Sequence, residues 1–338
     1  MTGKNFPLIL NTTWFRMSLV KEIMNMKKLN VTLAILVTAV MAGNAEPVYS
    51  DIVGYTKLEF PTGTSGHGVG FVKEDSYRGV PSTLTSTTMT FSGASFGDLG
   101  PTADGLPKYY VEIVDGNLAG YNADISSNTS SVLTISADFS SLITLPTIVI
   151  REHVRASDIF VNATGVEDFA DSLVVNNPDG SQSSLLRDSS SATGWIDAVS
   201  FSAADLIVYP GQSFLLNTAG SGNFTFSGKV KSTPTAVPLY AASGNYVSYS
   251  HPSASPSLQN INLGANLAQS EEYGCSVGTF STDGTLTQNA TFLFADASTG
   301  FIDPVTFAAP DQDTVEGLAS LIVNVTTDQV WLIPAPVN

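Results

Sequence analysis

Short β-branched or aromatic runs, each closed by Gly, Asn, Asp or Pro, recur along this chain from Ile52 onward. That punctuation leaves little room for helices, because no segment after residue 45 keeps a 3.6-residue apolar period beyond about three turns. Ile52–Phe60 alternates as a half-buried strand does, and Pro61-Thr62-Gly63 closes it. Tyr109–Val114 runs into Asp115-Gly116-Asn117 and returns through Gly120–Ile125, which predicts a hairpin, because Asp-Gly tolerates the positive φ of a tight turn. Leu173–Asn176 and Ser184–Arg187 flank Asn177-Pro178-Asp179-Gly180 and predict another. Helix candidates are confined to Ala156–Phe160 and Asp313–Leu318. Strands spaced by roughly eight to twelve residues with turn chemistry between them predict an all-β protein of antiparallel sandwich or barrel-like units.

The first 45 residues stand apart. Met26-Lys27-Lys28, the apolar run Leu33–Ala42 and the small residues Gly43 and Ala45 predict a secretory signal peptide over 26–45, cleaved after Ala45. The run is too short for a span, which needs about 20 residues, so no stable membrane span is expected after cleavage. Residues 1–25 fit no targeting pattern and read as an upstream extension from a misplaced start codon. The expected location is secreted: periplasm, cell surface or extracellular. Two β domains are expected beyond the leader, 46–152 and 153–338, because one strand cluster closes near Arg151.

Charge excludes one class of partner. The chain has 14 basic and 30 acidic residues, and beyond residue 45 the balance is nine to 29. A broad basic surface is impossible, so no nucleic-acid partner is expected. One cysteine, Cys275, excludes a disulfide framework, a Cys-rich zinc site and a CxxC redox centre. Two stretches echo others. Ser65–Val72 resembles Ser243–Ser250, and Asp171–Val175 ahead of Gly194–Asp197 parallels Thr291–Phe294 ahead of Gly300–Asp303.

Several segments, taken in order, resemble an uncharacterised family of secreted bacterial proteins known as conserved hypothetical. They are Ile52–Leu58, Tyr109–Ile113 with Gly116 and Ala119-Gly120, Ile125–Thr129, Ile150–His153, Gly194-Trp195, Tyr209–Phe214, Phe226–Lys231 and Gly244–Ser248. The resemblance covers roughly residues 50–265, and the chain departs from it at Tyr246, where relatives carry leucine. It implies secretion and β architecture, and it implies no activity.

Reactive constellations are scarce. His67, His153 and His251 are never at metal-ligand spacing. Gly93-Ala94-Ser95-Phe96-Gly97 matches G-x-S-x-G, but Gly100-Pro101 follows where a nucleophile elbow needs a helix. Gly66-x-Gly68-x-Gly70 lacks the spacing of a dinucleotide loop. Glu167, Asp168 and Asp171, and separately Asp311, Asp313 and Glu316, place carboxylates at short spacing that suits Ca²⁺, without the D-x-D-x-D-G loop. Trp195, Tyr246 and Tyr249, with Tyr209 and Tyr240, are candidates for a sugar-stacking platform. No catalytic residues and no cofactor other than Ca²⁺ are expected.

These features favour a secreted, non-enzymatic structural or adhesive protein of the cell surface or extracellular matrix, with self-assembly or extracellular polysaccharide as its partner. Strand exchange through Ile52–Phe60 is one route to assembly. A carbohydrate-binding module is the first alternative, and a polysaccharide-active enzyme the second.

Overall fold

Val53–Phe60 turns alternate residues toward solvent and pairs antiparallel along its whole length with Gly222–Val230. The computed structural model describes residues 53–177, 181–241, 244–249, 257–258, 260–267, 273–280, 283–285, 288–296, 298–309 and 319–335. All named strand pairs are antiparallel, and no sheet closes into a barrel among the described residues. Both expected hairpins form. Tyr109–Ile113 pairs with Asn122–Asn128 past Gly116 at φ 82°, and Ser172–Asn176 pairs with Gln182–Arg187. Ala156–Ile159 is one helical turn, and Leu263–Leu267 is another. No helix among the described residues is long and apolar enough to cross a membrane. The leader and the helix candidate Asp313–Leu318 lie outside the described residues.

Three hydrophobic cores divide the molecule. Two of them belong to five-stranded sheets with the same plan. From outer edge to inner edge, the first sheet runs Trp195–Asp197, Gln182–Arg187, Ser172–Asn176, Ser213–Thr218 and Gly63–Gly68. The second runs Gly300–Ile302, Gln288–Asp296, Ser276–Phe280, Ser320–Asn324 and Asn245–Ser248. Their registers coincide. Arg187 faces Trp195 as Phe294 faces Phe301, and Leu173 faces Leu216 as Val277 faces Val323. Each sheet is accompanied by one helical turn and one flanking strand pair, Val53–Phe60 with Gly222–Val230 and Thr235–Leu239 with Gln329–Ile333. Eight elements thus recur in the same chain order, and the fold is an internal duplication.

The correspondence corrects the sequence echoes. Gly194–Asp197 does match Gly300–Asp303, but Asp171–Val175 matches Cys275–Thr279 and not Thr291–Phe294. Gly66 stands where Tyr246 stands, two residues out of step with the echo, because each faces the third residue of its partner strand, Leu215 or Ile322. Gly-rich runs resemble one another at several offsets, and only the ladder selects one.

The two repeats meet through their inner strands about a pseudo-two-fold axis. His67 bridges Ala319 and Gln212 bridges Val247, which are the same contact with the repeats exchanged. On the axis the equivalent serines Ser213 and Ser320, both buried, share a hydrogen bond of 2.6 Å. Gly66 is required there, since a Cβ would come within 2.4 Å of the Ser320 Cβ.

The third core belongs to an insert in the first repeat, between Phe71–Val72 and Val154–Arg155. Its seven strands are ordered Asp75–Gly79, Ile148–Glu152, Tyr109–Ile113, Asn122–Asn128, Val132–Ile135, Thr88–Thr90 and Thr83–Leu84. Strand pairing therefore crosses residue 152, the expected domain edge, because Val53–Phe60 and Gly63–Gly68 take their partners from beyond it.

Candidate ligand cleft

The insert and both repeats converge on one cleft of about 370 Å³, within the ~300–1,000 Å³ of small-molecule sites. The insert supplies Tyr121, Asn122 and Asp124 from the start of one strand and Ser136 from the end of the next. The first repeat supplies Tyr209, Pro210 and Gln212, and the second supplies Ala236, Pro238, Tyr240 and Val330. Three half-buried tyrosines therefore stand around amide, hydroxyl and carboxylate groups. Tyr209 reaches the wall because Gly211, at φ 82°, turns the chain sharply after Pro210, and the Tyr209 amide donates to Gln212 Oε1 at 3.3 Å.

Asp124 organises the wall. Its Oδ2 accepts the Tyr209 hydroxyl at 2.9 Å, and its Oδ1 lies 3.0 Å from His153 Nε2, off the line of the ring N–H. Burial and then the Asp124 carboxylate push the Tyr209 phenol well above its ordinary value, so it remains a donor. His153 is buried between Tyr110 and Tyr209, with ring centroids at 4.8 and 5.0 Å. Burial lowers its pKa against the pull of Asp124.

Beneath Tyr110 lies an ion network that fastens the insert to the first repeat. Arg151 Nε donates to Asp75 Oδ1 at 2.9 Å, and its Nη1 pairs with Glu112. From the first repeat, Lys229 reaches Asp75 at 3.1 Å and Lys231 reaches Glu112 at 2.9 Å. Thr233 also donates to Glu112. Burial raises the Asp75 pKa, and Arg151 and Lys229 together bring it below the usual carboxylate range. Burial lowers the Lys231 pKa, against the pull of Glu112. Three of the nine basic residues beyond residue 45 are committed here. Glu112 and Arg151 lie on strands buried on both faces, and there these charges need one another, since an unpaired buried ion is expelled or neutralised.

The sequence candidates are distributed differently. Of the aromatic set, Tyr209 and Tyr240 line the cleft. Tyr246 stacks on Phe280 at 6.1 Å in a neighbouring hollow that shares Gln212, Pro238 and Tyr240 with it. Trp195 and Tyr249 are buried in two different cores, Trp195 edge-on to Phe160 at 5.2 Å, so neither offers a face to a sugar. The physical reason is area: a large ring in a two-layer β protein gains more by filling the space between layers.

The carboxylates of the first Ca²⁺ candidate do not converge. Buried Asp171 accepts the amides of Glu167 and Ala219, each at 2.7 Å. Asp168 accepts the Ser189 amide at 2.8 Å, and Glu167 is exposed. Their oxygens cap turns, and among the described residues no group of three or more His, Cys, Asp or Glu is placed to hold a metal ion. Asp311, Asp313 and Glu316 lie outside the described residues.

His67 packs on Phe214 and Phe224 with Ser65 Oγ 2.9 Å from Nε2, and burial lowers its pKa to about 4. Phe96 of the G-x-S-x-G segment packs on Tyr77 and Phe91 in a loop. Tyr121, Asn122, Asp124 and Gln212 escaped sequence reasoning. The available signal was Gly120-Tyr121-Asn122-Ala123-Asp124, where a polar residue follows every apolar one at a strand start. Compared with family models, curated proteins and solved structures, the chain matches none of them.

Proposed function

We propose that this is a secreted, non-enzymatic adhesive protein of the cell surface or extracellular matrix that holds a neutral saccharide in the cleft. One observation carries the reading: three tyrosines surround a small set of fixed hydrogen-bonding groups at the meeting point of three lobes. Aromatic faces stack on the C–H faces of a sugar, while amide, hydroxyl and carboxylate groups fix its hydroxyls. The described lining carries no cation, which favours a neutral sugar over a uronate or sulfated one. Asp124 is the one carboxylate in that lining, with one oxygen accepting from the Tyr209 hydroxyl and the other set against His153. Such a group orients its neighbours, whereas a glycosidase requires a second carboxylate across the bond to be cut.

Calorimetric titration with short neutral oligosaccharides, alongside acidic ones, tests the reading. Tyr240→Ala is expected to weaken binding roughly tenfold, equivalent to about 1.4 kcal/mol. Asp124→Asn is expected to weaken it further. Retention of no saccharide, or binding indifferent to both changes, counts against the proposal. Release of new reducing ends from a retained polysaccharide identifies a hydrolase instead.

A further inference from the structure

The duplication repeats one surface feature that neither core uses. Directly after each outer strand comes the same turn, Asp197-Ala198-Val199-Ser200-Phe201 in the first repeat and Asp303-Pro304-Val305-Thr306-Phe307 in the second. Asp197 Oδ1 accepts the Val199 and Ser200 amides at 3.1 and 2.7 Å. Asp303 Oδ1 accepts those of Val305 and Thr306 at 2.8 and 2.7 Å. The Phe201 and Phe307 amides then close onto the Asp carbonyls at 3.0 and 2.9 Å, and both phenylalanines sit at φ 55°.

A phenylalanine in that left-handed region is strained, and Asn or Gly would close the same turn more easily. The side chains so placed face solvent: Val199 is 87% exposed, Val305 83%, Phe201 63% and Phe307 65%. A second equivalent pair, Phe169 and Tyr273, adds exposed aromatics at φ 60°. In the second repeat Phe307 meets Tyr273 edge-on with ring centroids at 6.4 Å, yet both rings stay exposed, and in both repeats most of the apolar area of the turn faces solvent. Strain and exposed apolar area at the same positions in both repeats mark an intermolecular contact.

Placement identifies the partner. The repeats join through their inner strands, so the two turns lie at opposite outer edges of the joined pair. Ala198–Ala204 and Pro304–Ala309 carry no charged residue, in a chain with 30 acidic groups against 14 basic ones. Two copies that repel over most of their surface approach most easily at these points. At the end of each outer strand the Asp197 and Asp303 amides are already bonded to Ser202 O and Ala308 O, both at 2.9 Å, so contact at the turns falls to the side chains. We infer that the two turns join copies of this chain end to end, the turn of one repeat packing on that of the next copy. Each copy carries such a turn at both ends, so a contact made at one end leaves the other free, and copies add into a linear row.

Sedimentation velocity of the purified exported chain, from low micromolar to the highest soluble concentration, tests this. The unaltered chain is expected to grow in mean mass past the dimer. Val199→Ser with Phe201→Asn, altering one end, is expected to stop at the dimer, as is Val305→Ser with Phe307→Asn. The chain altered at both ends is expected to remain monomeric. Because asparagine suits the left-handed region, these variants should melt at the same temperature as the parent or above it. A lowered melting temperature assigns the phenylalanines a structural role and overturns the inference. A parent that stays monomeric throughout, or a two-ended variant that associates like the parent, overturns it as well. Saccharide binding in the cleft is read separately, so loss of assembly with intact binding leaves the two proposals distinguishable.

Discussion

In the first repeat Arg187 lies over Trp195 at 5.6 Å, and at the same two positions the second repeat sets Phe294 edge-on to Phe301 at 5.6 Å. Where the first buries Asp171, the second buries Cys275, and where the first buries His67, the second has Val247. Among the described residues the second repeat buries no charged side chain, whereas the first buries Asp171, Asp205, Lys229 and Lys231. The same backbone plan therefore accepts either chemistry at equivalent points. What distinguishes the halves is the insert: Lys229 and Lys231 are buried in the first repeat because Asp75 and Glu112 of the insert meet them there. A fold specified by strand order and register tolerates charge inside it when a neighbouring lobe brings the counter-charge.

Removing that counter-charge is the most severe way to break the comparison. Arg151→Met leaves Asp75 and Glu112 short of a partner and is expected to destabilise the protein by about 3–5 kcal/mol. Urea unfolding checks the value, and a loss below 1 kcal/mol would show that the insert is held by its apolar contacts alone. Acid gives the next effect. The folded His67 pKa of about 4 lies below the ordinary 6.5, so the unfolded chain takes up the proton first. Stability is complete above about pH 6.5 and is lost as pH falls toward 4, by on the order of 3 kcal/mol from this group. Buried His153 acts in the same direction. His67→Val, which installs the residue of the second repeat, is expected to flatten the profile between those values.

Gly66→Val sharpens the comparison at the axis. It forces a side chain onto Ser320, at a cost of about 1–3 kcal/mol as an overpacking change. Ala at the equivalent Tyr246, which is half-buried, is expected to cost less in the same melt. The smallest effect concerns the axial serines. Ser213→Ala and Ser320→Ala should each cost about 0.5–1.5 kcal/mol. The double variant should cost clearly less than the sum if the two hydroxyls bond mainly to each other, a non-additivity read from a double-mutant cycle.

Much of the fold was legible in the chain. Asp115-Gly116 announced its hairpin, Ile52–Phe60 its alternation, and Ala156–Phe160 its single turn, because each depends on neighbours in sequence. The duplication was visible only in part, since the match of Gly194–Asp197 to Gly300–Asp303 survives whereas the Gly-rich echo was set two residues off. The cleft and the ion network were mostly hidden. Asp75, Glu112, Arg151, Lys229 and Lys231 are far apart in sequence and meet only because three neighbouring strands of the insert dock beside one strand of the repeat. A single sign was present, in that Arg151 ends the apolar run Ile148-Val149-Ile150 and so lies where a strand buried on both faces continues. Trp195 reads only as a platform candidate from sequence, because ring chemistry is the same in a core and on a sugar platform and only neighbours decide.

The exchange of Asp171 for Cys275 has a practical consequence. Cys275 is the chain's only thiol and is fully buried in the second repeat. A thiol reagent can reach it only when that repeat opens, so the labelling rate times the breathing of one half of the molecule. The other half, with aspartate at the matching position, stays silent in that assay. A duplicated fold thus carries a clock in one copy and a blank in the other.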